Sequence, residues 1–156
     1  MHRDFLNQLS EEIKLTKTMV SVLEQECNAL ANSDATKINE TSQQKRMLLT
    51  ELETCARKRL QLVTDMGYRR ELGSVGRFLS QKDPSQALLQ SWDSLNRQLQ
   101  LCNDKNQING RIISLSQRKT EMALNVLRGQ LPQSNSAYNH MGKITHNRYS
   151  SAVGSV

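Results

Sequence analysis

The stretch "LNQLSEEIKLTKTMVSVLEQECNAL", residues 6–30, decides the fold class. Its apolar positions run Leu6, Leu9, Ile13, Thr16, Val20, Leu23, Cys27, Leu30, an alternating three-four spacing with one polar member. Side chains spaced in this way share one helix face, so the stretch predicts a coiled-coil seam rather than a strand. "NSDA", residues 32–35, interrupts the pattern with helix-capping residue types. A second seam follows at once: Ile38, Thr41, Lys45, Leu48, Leu52, Cys55, Arg59, Leu62, Met66, with Leu49, Ala56, Leu60 and Val63 widening the apolar face. So short a break between two long seams predicts an antiparallel helical hairpin. The polar seam members Lys45 and Arg59 are expected to lay their methylene stems along the packing.

Gly67 supplies a natural C-cap, and residues 67–83 read as a connector with one brief helix, because Gly73 and Gly76 separate short apolar patches. "DPSQ", residues 83–86, restarts a helix, with Asp83 as N-cap, Pro84 at the first helical position and Gln86 at the capping-box position. The third run is Leu88, Trp92, Leu95, Leu99, Cys102, Asn106, Asn109, Ile113, Ser116, Thr120, Ala123, Leu127, flanked by a second stripe of Ile108, Ile112, Leu115, Met122 and Val126. The expected fold is therefore all-α: helices at about 3–31, 36–66 and 84–128 in an elongated hairpin with a long third helix. Residues 1–131 form the helical domain. Residues 132–156 contain no acidic residue and few aliphatics, and are expected to be a flexible tail with Tyr138, Met141, Ile144 and Tyr149 as anchors.

The third seam turns polar at its midpoint, where "CNDKNQINGRII", residues 102–113, brings Asn106, Asn109 and Gly110 together. Asparagine competes for backbone hydrogen bonds and glycine weakens a helix interior, so these residues need a reason. One reading is that they set register and partner choice, marking where the third helix stops serving the hairpin and begins to face a partner. The other is that these asparagines cap interhelical contacts inside the bundle. On sequence alone, leucine at 106 and 109 is expected to stabilise the fold and blur partner choice. Beyond this point Met122, Val126, Leu127 and Leu131 leave an apolar face without a seam partner.

Composition narrows the function classes. Aromatic residues make up 4% of the 156-residue chain, and seven glycines and two prolines accompany them, which suits extended helices with narrow seams. The net charge of +6 permits nucleic acid or an anionic surface as partner. The one dense basic cluster, Arg57–Lys58–Arg59, lies near Glu51 and Glu53, with Glu53 spaced to pair Arg57, and reads as a solvated face. Glu11 and Glu12, like Glu24 and Glu26, are expected to face solvent. Cys27, Cys55 and Cys102 sit at apolar positions without metal-ligand spacing, so they read as small buried hydrophobes in a reducing compartment. No metal or cofactor site is expected.

The histidines, His2, His140 and His146, lie in terminal segments, and no nucleophile–base–orienter set is present. "GKIT", 142–145, lacks the upstream glycine and the hydroxyl residue of a phosphate loop, and "GSVG", 73–76, lacks the context of a backbone clamp. An enzyme is not expected. The first residues, "MHRDFLNQLSEEIKL", lack an apolar core, and no apolar run approaches membrane-spanning length, so the expected location is the cytoplasm.

Taken in order, "LEQECNAL" (23–30), "KRMLLTELETCARKRLQLVTDMG" (45–67), Trp92 with Leu95, "N..NG.II" from Asn106 to Ile113, and Tyr138 with Gly142 resemble the FlgN family of flagellar export chaperones over nearly the whole chain. The resemblance implies a cytosolic helical chaperone that binds the C-terminal regions of hook-filament junction proteins. It would keep them unassembled and present them to the flagellar type III export gate. It also implies partner contacts in the C-terminal part, where Tyr138, with Met141 and Gly142 beside it, would be the tyrosine linked to docking at the gate. Two other classes remain: a basic helical nucleic-acid binder and a structural coiled-coil adaptor. Pairing of the third helix with that of a second copy is left open by the sequence.

Overall fold

The break at "NSDA" is a tight, doubly used turn. In the computed structural model, which describes residues 1–129, helix α1 spans His2–Ala31 and α2 spans Ala35–Asp65. Ser33 adopts a left-handed φ of 53°, and the Asp34 N–H returns to the Ala29 carbonyl at 2.9 Å, closing α1. The Asp34 carboxylate then accepts from the Lys37 N–H at 3.1 Å, opening α2. One residue thus ends the first helix and starts the second. At its far end α2 closes in a Schellman turn: Gly67 takes φ 98°, and the Tyr68 N–H returns to the Val63 carbonyl at 3.1 Å.

The chain divides into two compact units, residues 1–114 and 115–156. In the first, α1 and α2 pack antiparallel along their length, and the residues from Ala87 to Ser114 of helix α4 (Ala87–Leu127) lie on the hairpin. Cys102 and Asn109 of α4 donate to the carbonyls of Thr16 and Leu23 in α1, both at a sequence offset of 86, so α4 runs parallel to α1 in constant register. The described residues contain four α-helices and one 3₁₀ turn, and no strand.

The hydrophobic core gathers at the end of the bundle where α1 begins. Phe5, Leu9, Val63, Met66, Phe78, Leu79, Leu88 and Leu95 form one buried cluster. Leu9, Leu79 and Leu95 are fully buried, and each such side chain contributes about 1.5–3 kcal/mol. Two of the eight members come from the expected connector. Residues 70–72 form the 3₁₀ turn and Val75–Lys82 form helix α3, which drives Phe78 and Leu79 into the core. Tyr68 packs edge-on against Phe78 at 5.5 Å between ring centroids. The "GSVG" motif is the start of α3: Gly73 has φ 88°, and the Ser74 hydroxyl accepts from the Arg77 N–H.

The structure moves two expected features. α4 begins at Ala87 rather than at Pro84, because Asp83 is already engaged in ending α3, its N–H bonded to the Leu79 carbonyl. Its carboxylate still caps α4, from further upstream, accepting from the Ser85 N–H and hydroxyl and from the Leu88 N–H at 3.0 Å. The Ser85 hydroxyl and the Leu88 amide hold this carboxyl below the usual aspartate range. Gln86, expected in a capping box, instead takes a left-handed φ of 59°.

The buried line of α1 also differs in phase. It runs Phe5, Leu9, Glu12, Thr16, Met19, Leu23, Glu26, so Leu6, Ile13, Val20 and Cys27 are half-buried flanks. Glu12 and Glu26 are each 2% exposed, against the expectation that they face solvent. The reason lies on α2. Arg59 Nη1 donates to Glu12 Oε1 at 2.8 Å, and Lys45 Nζ donates to Glu26 Oε1 and Oε2 at 2.8 and 3.1 Å. The two cations at seam positions are the partners of two acids at seam positions. Arg59 is thereby removed from the basic cluster and lies 5.3 Å above the Trp92 ring. Arg57, expected to pair Glu53, instead donates to the Thr54 hydroxyl at 3.4 Å.

Glu12 is the less satisfied of the two acids, because its Oε2 is buried without a hydrogen-bond partner. Burial pushes its carboxyl up from the ordinary glutamate value, and Arg59 pulls it partly back. A carboxyl raised in the folded state binds its proton more tightly there than in the unfolded chain. Its contribution to stability is therefore full below the ordinary glutamate value and is lost as pH rises through the raised one. Urea midpoints of the native chain minus those of Glu12→Gln are expected to fall as pH rises from about 4.5 towards neutrality. A difference that rises with pH would mean that Arg59 outweighs burial.

Candidate functional site

Helix α4 carries the candidate residues that the structure describes, and they fall into two groups. Asn109 is 2% exposed and lies inside the bundle. Its Nδ2 donates to the Leu23 carbonyl at 2.9 Å and to Glu26 Oε2 at 2.8 Å. Asn106 lies at the surface beside it, and its Oδ1 accepts from Lys45 Nζ at 3.4 Å. Glu26, Lys45, Asn106 and Asn109 thus form one polar layer joining α1, α2 and α4. Of the two readings of the asparagines, these contacts are the internal one. A Cβ on Gly110 would meet nothing within 4 Å, and nothing in the structure explains a glycine there.

The change of face comes about a turn later than the asparagines. Ile112 and Ile113 remain half-buried, and from Leu115 to Leu127 every side chain is exposed except half-buried Asn125. In this second unit Leu115, Met122 and Val126 are 56%, 62% and 55% exposed, and their seven- and four-residue spacing sets them on one helix face. Leu127 is 83% exposed and lies a third of a turn away, where Leu124, which the sequence reading passed over, precedes it by one turn. Leu131, Tyr138, Met141 and Gly142 lie outside the described residues.

Chemistry other than packing is sparse. Among the described residues no group of three His, Cys, Asp or Glu side chains could hold a metal ion, and no helix is long and apolar enough to cross a membrane. All three cysteines are free; Cys55 is buried, and burial pushes the Cys102 thiol up, holding it protonated as a donor to the Thr16 carbonyl at 3.5 Å. Such a thiol is a packing element with little nucleophilic character. The buried acids Glu12 and Glu26 were missed by treating each acid by its local neighbours. Their spacing of two heptads equals that of Lys45 and Arg59, and matching the two seams would have found both pairs.

The described residues define an all-α helical-hairpin protein whose buried acids Glu12 and Glu26 and thiol Cys102 are engaged in contacts between its own helices. The chain belongs to the FlgN family, whose model, described as FlgN protein, matches residues 1–146. This is a family of flagellar export chaperones rather than enzymes, and its members bind hook-filament junction proteins. No curated protein and no solved structure matches the chain significantly.

The polar layer reverses the expectation that leucine at 109 stabilises the fold. Asn109→Leu removes a donor from the buried Glu26 carboxylate, and leaving such a group under-satisfied costs about 1–3 kcal/mol. The variant is expected to unfold at lower urea with an unchanged slope; equal or greater stability would show that the layer accepts an apolar neighbour.

Proposed function

We propose that this chain is a cytoplasmic flagellar export chaperone that binds the C-terminal regions of hook-filament junction proteins, prevents their premature assembly and delivers them to the type III export gate. The observation that carries the reading is the exposed apolar row of Leu115, Met122 and Val126, with Leu127 beside it, in a chain of this family. Proteins that polymerise through amphipathic terminal helices expose unpaired apolar stripes before assembly. A helix with an open apolar face covers such a stripe by helix-to-helix packing and needs no nucleotide to do so. Leu131 extends the row in sequence. Tyr138, with Met141 and Gly142, is assigned the contact with the gate from its match to the family pattern.

The nucleic-acid reading loses support, because Lys45 and Arg59 commit their charge to Glu26 and Glu12. Such a binder would also show affinity falling steeply with salt. The adaptor reading requires obligate self-association; pairing of the third helix with a second copy would cover the same row and compete with the client.

The test is a calorimetric titration of a junction protein's C-terminal segment into the full chain and into its Met122→Gln/Val126→Gln variant. Binding by the native chain, weakened about tenfold or more in the variant, is the expected result. Equal binding by both would move the contact off this row, and no binding by the native chain would remove the proposed function.

A further inference from the structure

We propose that the helix which packs on the exposed row of α4 carries an acidic side chain within its own apolar stripe, placed to meet Lys119. The inference rests on the reading of that row as the face a client covers, and it adds the chemistry that the client has to bring. Leu115, Met122 and Val126 are separated by seven and four residues. Lys119 fills the gap, so the row reads Leu115, Lys119, Met122, Val126 in alternating steps of four and three, a heptad seam with one cation inside it. All four side chains are exposed.

Lys119 has no acid of its own. The positions from which a neighbour on the same helix could pair with it, three and four residues away, hold Leu115, Ser116, Met122 and Ala123. It takes part in none of the ion pairs formed among the described residues. The one acidic side chain in the sequence from 115 to 156 is Glu121, which stands about 200° around the helix from Lys119. A second copy of the row would set Lys119 against leucine, methionine, valine or another lysine, so self-pairing supplies no carboxylate either.

The first unit shows how this chain seats a cation in a seam. Lys45 and Arg59 occupy seam positions of α2, and each meets a glutamate on the buried line of α1 at 2.8 Å. Those two charges are neutralised within the bundle. Lys119 repeats the residue type and the placement on an exposed face, where its charge is still unmatched. Covering an ammonium group with an apolar stripe costs its hydration and returns nothing, whereas a carboxylate in the facing seam offsets the loss. A client helix with an acid there is accepted in one register, and a helix apolar throughout is disfavoured.

The test is a calorimetric titration of a junction protein's C-terminal segment into the full chain and into its Lys119→Gln, Lys119→Glu and Arg128→Gln variants, all changed at exposed positions. Lys119→Gln is expected to weaken binding about tenfold, and Lys119→Glu further. Arg128→Gln removes the same charge on the opposite side of the helix from Lys119 and leaves the affinity within about twofold. Each acid of the segment is then changed singly to lysine, and one of these changes is expected to restore binding to Lys119→Glu while weakening binding to the native chain. Binding by Lys119→Gln as strong as by the native chain, an equal loss in Arg128→Gln, or no acid whose reversal rescues Lys119→Glu would overturn the inference and leave the row as a client face. No binding by the native chain would remove that reading and this inference together.

Discussion

Two carboxylates taken out of water, Glu12 and Glu26, set the conditions that the first unit has to meet. Each faces a cation of α2, and the residue numbers of the two pairs add to the same total, so both specify one antiparallel register. A slip of α2 by one heptad would set the acids against Met66 and Leu52 in one direction, or Leu52 and Ile38 in the other. An unpaired charge at such a position costs about 3–5 kcal/mol, more than a slipped apolar seam would recover. Apolar residues at all four positions would pack as well and choose less. The ionic layers therefore act on uniqueness more than on stability, the best-attested use of polar seam residues.

Helix α4 is tied to the same layers. Asn109 completes the shell of Glu26 while bonding the Leu23 carbonyl, and Cys102, one heptad earlier, bonds the Thr16 carbonyl. Trp92 lies under the Arg59 guanidinium that neutralises Glu12. Each ionic layer thus has a contribution from α4, which explains how a helix with only Leu88 and Leu95 fully buried among its apolar residues keeps a fixed register on the hairpin. The asparagines that look anomalous in a seam are the groups that this chemistry requires.

Much of the fold was legible in the sequence because long seams average over local error. The two hairpin helices lie within a residue of their expected ends, and the third seam holds its phase from Leu88 to Ile113. The failures share a cause: they depend on residues distant in sequence. Half of the α1 seam is displaced by one position, since Phe5, Glu12, Met19 and Glu26 are selected by what α2 and α4 present, not by local hydrophobicity. The connector contributes Phe78 and Leu79 because the bundle end needs covering, a demand invisible in residues 67–83. Asp83 was recognised as a cap, but the strand of turn it spans was set by the helix that precedes it. At the candidate site the exposed row was readable from its spacing, whereas the internal role of Asn109 required Glu26 to be known as buried.

The apolar cluster lies at one end of the first unit, with the Glu12–Arg59 layer at its border and the Glu26–Lys45 layer nearer the α1–α2 turn, and this gradient gives the bundle a graded local stability. The end holding Phe5, Phe78 and Leu88 opens only when the cluster is lost, which is global unfolding. The end at the α1–α2 turn buries smaller side chains such as Ala29 and is closed by the Asp34 hydrogen bonds and the Glu26–Lys45 pair, which water can replace as the helices fray. Backbone amides near Asp34 are therefore expected to exchange through local opening and those near Leu9 only with loss of the cluster.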